Sequence, residues 1–226
     1  ALFLAVAVGT ASAQQNNQPA TGSVDQLTPT EIEDLVYMRE EEKLARDSYL
    51  VLSETWGLRV FANISKSEQK HMDALELLIE RFDLTDPILD ESDVGTFTDP
   101  DLQTLFDDLM VQGTQSELEG LKVGGAIEET DILDLQQAIE RTDNVDLINV
   151  YENLLCGSRN HLRAFVRQIE FYGEIYTPIL MSQDELSAIV DSPNERGCGS
   201  SQQGKGKNSK GKGKGKNNSD KGSNCG

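Results

Sequence analysis

The chain has 226 residues, 37% of them hydrophobic, and carries 39 Asp and Glu against 20 Lys and Arg, a formal charge of -19. That length supports one sizeable core with an appended tail and argues against a multidomain enzyme. Phosphate backbones are bound by clustered Lys and Arg, so a body this acidic is not expected to bind nucleic acid.

Residues Ala1 to Val8 are apolar, and Ala11-Ser12-Ala13 has the small-x-small pattern of a signal-peptidase site. Residues 1–13 therefore read as a signal-peptide remnant and 14–26 as a polar linker, the plainer alternative for the first being an apolar end left by fragmenting a longer chain. Neither this run nor any later one reaches the ~20 apolar residues that span a bilayer, so no transmembrane segment is expected in the mature chain. The expected location is secreted or cell-envelope, periplasmic or extracellular. Export permits disulfides, and Cys156, Cys198 and Cys225 form an odd set in which the last two could pair, with Cys156 reading as a small core residue of its helix.

From Leu27 to Asp191 prolines are few and apolar residues recur at three- and four-residue steps, the period of helices. The first helix opens on Thr28-Pro29-Thr30-Glu31, a capping box with proline in its first turn, and runs to about Ser53 before Trp56-Gly57. A second spans about Leu58 to Phe82. A long link with Pro87 and Gly95 follows, and a short helix from about Pro100 to Val111. The third long helix runs from near Ser116 to near Arg141, the fourth from after Asn144 to Gly173, and a last short one starts at Ser182 with Glu185 in the capping-box position. Helices of about 25 residues are about 38 Å long, so a link of about thirty residues between the second and third fits a return to the other end. The fold class expected is all-α: a ferritin-like four-helix bundle over 27–191, with one long crossover between helices 2 and 3 and short extra helices.

Beyond it, residues 192–226 are rich in Gly, Lys, Ser and Asn, and eight basic residues face the single Asp220 from Arg196 onward. Such a composition cannot bury enough apolar surface to offset chain entropy, so a disordered basic tail is expected. It reads either as a solubilising end or as a polycation for an anionic surface or polymer, the acidic body included.

Polar residues interrupt four apolar stripes. The first helix aligns Leu35, Met38, Glu42, Ala45, Tyr49 and Leu52, and the second Ile64, Glu68, His71, Leu75, Leu78 and Phe82. The third aligns Leu121, Gly125, Glu128, Ile132, Leu135 and Ile139, with Asp131 one turn beyond Glu128; the fourth aligns Tyr151, Leu154, Ser158, His161, Phe165 and Ile169. Burying a carboxylate without a partner is costly, so something cationic is expected on these seams. Glu-x-x-His lets one helix offer an oxygen and an imidazole nitrogen together, and both histidines of the chain fall on the seams. Mixed imidazole and carboxylate donors suit iron, manganese or zinc; an all-oxygen set would have suggested calcium or magnesium. Gly124-Gly125 inside a helix costs about 1 kcal/mol per glycine relative to alanine, which points to close approach or local distortion there.

These residues carry a resemblance. Glu42-Lys-Leu-Ala45-Arg46-Asp-Ser-Tyr49 and Ser67-Glu68-Gln-Lys-His71 resemble the first- and second-helix motifs of rubrerythrin-type di-iron proteins. Together with Tyr37 to Arg46, Ser67 to Met72, Glu128 to Ile132 and Gly157 to Leu162, they look like a prokaryotic family catalogued as domain of unknown function 2202 and placed in the ferritin-like group. The resemblance implies Glu42, Glu68, His71, Glu128 and His161 as metal ligands. Ser158 stands where ferritin-like di-iron proteins carry a fourth-helix Glu, and Asp131 could replace that carboxylate. Arg46, Arg159 and Arg163 are candidate partners of the acids or, more ordinarily, of surface charges. No catalytic residue beyond the metal ligands is assigned, Tyr49 and Tyr151 being core residues that could also donate electrons or protons.

The function expected is a secreted metal-binding protein with a di-iron or other transition-metal centre, possible partners being metal ions and a small oxidant, in an oxidase, peroxidase or metal-handling role. The alternative is a non-catalytic secreted structural or binding protein working through its acidic body and Lys-Gly tail at an envelope, matrix or mineral surface.

Overall fold

Five of the six helices begin where a side chain satisfies the first N–H groups, the exception being the second, which opens at Leu58 without a side-chain cap. The computed structural model describes residues 26–198; the expected signal remnant, nearly all of the linker and the tail beyond Cys198 lie outside the described residues. Helix α1 (Pro29–Trp56) starts on the reciprocal Thr28–Glu31 capping box and ends on Gly57, whose φ of 67° lets the chain turn away. Helix α2 (Arg59–Arg81) follows at once. Asp99 caps α3 (Pro100–Gly113), Ser116 caps α4 (Glu117–Glu140), Asn144 caps α5 (Val145–Phe171), and a Ser182–Glu185 capping box starts α6 (Gln183–Val190). Among the described residues there is no strand, so the all-α class holds.

Helix α1 packs on α2 and α4, and α5 packs on those same two helices, so the long helices close a ring in the order α2, α1, α4, α5. Helices α2 and α4 therefore sit across the ring, and residues 82–99 carry the chain between them by way of α3, which lies against α1 and α4. The stripes read from the sequence face inward. Every position named above is buried except Phe82 and Ile139 at the helix ends, which are half-buried. Each fully buried Leu, Ile or Phe contributes about 1.5–3 kcal/mol by leaving water. The Gly124-Gly125 pair is a case of close approach: a Cβ on Gly124 would lie 2.4 Å from the Phe165 ring, and one on Gly125 2.7 Å from Tyr176, while α4 runs on unbroken.

The periodicity did not disclose that α1 is buried all round from Met38 to Tyr49, charged residues included. The crossover covers them. Arg39 donates to Asp86 and Glu91, and Lys43 Nζ donates to Asp47 (2.5 Å) and to the carbonyls of Asp93 and Thr96. Glu40 accepts from the N–H groups of Thr98 and Asp99, and Asp47 from Gly95 N–H. An irregular segment must pair its backbone polar groups somewhere, and here α1 supplies the partners.

Beyond α5 the chain returns along α4. Glu129, fully buried, accepts from Tyr176 Oη (2.6 Å) and from the N–H groups of Ile179, Leu180 and Met181. Residues 192–198, expected to open the free tail, are instead held on α5: Arg159 and Arg163 donate to Glu195, and Cys156 is disulfide-bonded to Cys198. Two expectations are corrected here. Cys156 is a half-buried disulfide partner and not a core thiol, and Cys198 pairs with it and not with Cys225. Among the described residues no helix is long and apolar enough to cross a membrane.

Candidate metal centre

The centre of the ring is polar. Glu68 and His71, three residues apart on α2, point into it; Glu42 comes from α1, Glu128 from α4 and His161 from α5. Glu68 and Glu128 are 0% exposed. His71 Nδ1 lies 2.7 Å from Glu68 Oε2 and 3.1 Å from Glu42 Oε2. On the other side, His161 Nδ1 lies 2.8 Å from Glu68 Oε1 and 3.4 Å from Glu128 Oε2. The donor atoms thus form two triads, Glu42–Glu68–His71 and Glu68–Glu128–His161, each within 4.8 Å and sharing one carboxylate.

Of these four contacts only His71 Nδ1 to Glu42 Oε2 has hydrogen-bond geometry. Each imidazole nitrogen carries at most one proton yet faces two carboxylates. Both Glu68 oxygens, Glu128 Oε2 and His161 Nδ1 are buried and lack a partner in hydrogen-bond geometry. Leaving one such group unpaired costs ~1–3 kcal/mol, and more when it is charged. Buried carboxylates and imidazoles that converge on one point suit a cation placed between them, and oxygen with imidazole nitrogen is the donor set of first-row transition metals. The residues present fit such ions.

Charge balance points the same way. Burial raises the Glu42 carboxyl against the opposing pull of His71, and pushes Glu128 up to about 7 despite His161. Burial also opposes ionisation of Glu68, but the imidazoles of His161 and His71 outweigh it and hold that carboxyl well below its ordinary range. In return, and against their own desolvation, His71 is held up at about 10 by Glu42 and Glu68, and His161 is raised by Glu68 and Glu128.

Asp131 belongs to neither triad. It is buried, both its oxygens lack partners, and burial with the negative field of Glu42 and Glu41 raises its carboxyl strongly. Ser158 donates to the Leu154 carbonyl of its own helix and supplies no carboxylate. Beside it, Gly157 leaves room for His71: a Cβ there would sit 2.6 Å from the ring. A glycine inside a helix was the one sign of this approach. Tyr49 donates to Glu128 Oε1 at 2.6 Å and fixes that carboxylate from beneath, on an aromatic floor shared with Phe61 and Phe165. Tyr151 is fully buried on α5 with an unpaired hydroxyl, its field set by Asp34 and Glu31 and not by the central acids. Arg46 turns to Asp47, Gln69 and the Glu91 carbonyl, and Arg159 and Arg163 to Glu195, so none of the three touches the central acids.

Residues 31–193 match the model of an uncharacterized protein domain, DUF2202. The uncharacterized protein MJ0754 of Methanocaldococcus jannaschii is 48% identical over 171 residues, 76% of this chain and 92% of that one. The crystal structure titled hypothetical protein MJ0754 superposes with a TM-score of 0.73 at 45% identity, covering 81% of this chain and all of the other.

Proposed function

The chain belongs to the DUF2202 family, and we propose that it is a ferritin-like four-helix bundle, distantly similar to rubrerythrin-type di-iron proteins, that holds two transition-metal ions between its long helices. The helix ring, with its crossover between diagonal members, supports the ferritin-like topology. The observation that carries the metal reading is Glu68, whose two buried oxygens each approach a different histidine Nδ1 within 2.8 Å while accepting a hydrogen bond from neither.

Glu42 and His71 would hold one ion and Glu128 and His161 the other, with Glu68 shared and Asp131 in reserve for the carboxylate that Ser158 does not provide. Iron is the first choice, with manganese or zinc as alternatives. Bound iron supplies one-electron redox chemistry toward a small oxidant, or a site at which ferrous iron is taken up and oxidised. The protein's part is to keep the site dry, to fix Glu128 through Tyr49, and to give up imidazole and carboxyl protons as metal enters. Work outside the cytosol, secreted or in the envelope, is consistent with the Cys156–Cys198 disulfide.

Ser158 favours a second reading, a non-catalytic exported protein that keeps the seam but acts through its acidic surface and basic tail. Metal content by plasma mass spectrometry after anaerobic loading with ferrous iron separates the two. Near two irons per chain, lost in a His71→Ala/His161→Ala double variant, is expected; equal uptake by both proteins would remove the metal reading.

A further inference from the structure

Beside the metal centre, α1, α3 and α4 with Ile179 and Leu180 line a pocket of about 630 Å³, partly open to solvent and within the range that holds a small organic ligand. Leu44, Leu109, Ile127 and Leu180 contribute apolar wall, and Glu41 and Asp131 line it as well. These two acids are 4% and 2% exposed, and three of their oxygens, Glu41 Oε1 and both of Asp131, accept no hydrogen bond. Every charged residue lining the cavity is an acid: Glu41, Asp108, Glu119 and Asp131. The two metal triads leave all four unused.

An apolar wall beside two buried carboxyl groups with three unclaimed acceptor oxygens selects a particular chemistry. A primary ammonium group has three N–H donors and a positive charge, which matches both the number of orphan oxygens and their sign. A hydrocarbon chain attached to it leaves water for the leucine and isoleucine walls. A carboxylate or phosphate ligand would add negative charge to a lining whose charged residues are all acids, and a neutral alcohol, with one donor, would leave two of the three buried oxygens unpaired.

We propose that this cavity binds a linear primary alkylammonium ion, its head group between Glu41 and Asp131 and its chain along Leu44, Leu109 and Ile127. The binding stands on the cavity alone and does not depend on the metal reading above. Asp131 then faces the organic ligand, in keeping with its place outside the two triads.

The test is titration calorimetry of octylammonium chloride into the full chain, metal-free and iron-loaded, with octanol as the neutral probe. Saturable binding of one octylammonium per chain is expected in both forms, with octanol at least tenfold weaker. Leu109→Trp fills the pocket and should weaken octylammonium at least tenfold while leaving iron content unchanged; Ala126→Met, a smaller filling of the same wall, guards against misfolding of the first variant. Asp131→Asn should weaken the amine and not octanol. Absence of saturable binding, equal affinity for octanol, or undiminished binding by both filled variants would overturn the proposal. Amine binding to a chain that takes up no iron would sustain the cavity and remove the metal reading, and iron uptake without amine binding would do the reverse.

Discussion

Replacing Glu129 tests whether the segment after α5 is held by one buried carboxylate. Four donors converge on it: Tyr176 Oη at 2.6 Å, Leu180 N at 2.7 Å, Met181 N at 3.0 Å, and Ile179 N at 3.0 and 3.1 Å from its two oxygens. A hydrogen bond to a charged group contributes ~1.5–3 kcal/mol net. In Glu129→Ala the Ile179 and Leu180 groups lie near enough to solvent to rehydrate, whereas Met181 N–H and the Tyr176 hydroxyl are buried. Counting the buried pair alone, the loss is about 4 kcal/mol. For a folded body of this size, ~2–4 °C of Tm per kcal/mol makes that a drop of about 8–16 °C. Glu129→Gln keeps the oxygen that serves three backbone donors and turns an amide toward Tyr176, so about 1–2 kcal/mol is expected. Urea denaturation of the two variants and the parent, metal-free, provides the comparison. A Glu129→Ala protein within 1 kcal/mol of the parent, or a Gln variant as unstable as the Ala variant, would refute the reasoning.

Metal uptake should tighten as pH rises. His71, held up at about 10, His161, also raised, and Glu128 at about 7 carry protons in the metal-free protein, and a metal must expel them. Affinity should therefore rise between about pH 6 and 8, with protons released into weak buffer; uptake independent of pH would contradict this. Lys43→Ala leaves the buried Asp47 with Arg46 and Gly95 N–H but removes its lysine partner and frees the carbonyls of Asp93 and Thr96, a change of about 1–3 kcal/mol. Limited proteolysis should then cut within residues 82–99, and a crossover as resistant as the parent's would count against the ionic belt. Removing the Cys156–Cys198 bond by a double serine substitution opens a loop of 42 residues and should cost about 2–4 kcal/mol, read as a lower Tm with iron content retained.

The helices and their inward faces were legible because capping boxes, prolines and three-four periodicity are local properties. Glu42, Glu68, His71, Glu128 and His161 could be picked out for the same reason: each interrupts an apolar stripe. What escaped the sequence depends on segments far apart in the chain. Nothing local marks Arg39, Glu40, Lys43 and Asp47 as buried, because their cover is supplied by residues 82–99. Glu129 looks like a surface neighbour of Glu128 until the stretch from Tyr176 to Met181 returns to it. Arg159 and Arg163 meet their partner 36 and 32 residues later, at Glu195. Cys156 pairs across a comparable distance, with Cys198, which the sequence had offered as a partner for Cys225. Asp131 shared its helix face with Glu128 on paper, yet the triads close without it.

The most direct test of the two-metal centre is anomalous diffraction at the iron edge from crystals loaded anaerobically with ferrous iron. Two peaks are predicted, one among Glu42, Glu68 and His71 and the other among Glu68, Glu128 and His161. Iron only on surface acids, or no anomalous signal beside Glu68 at full loading, would contradict it.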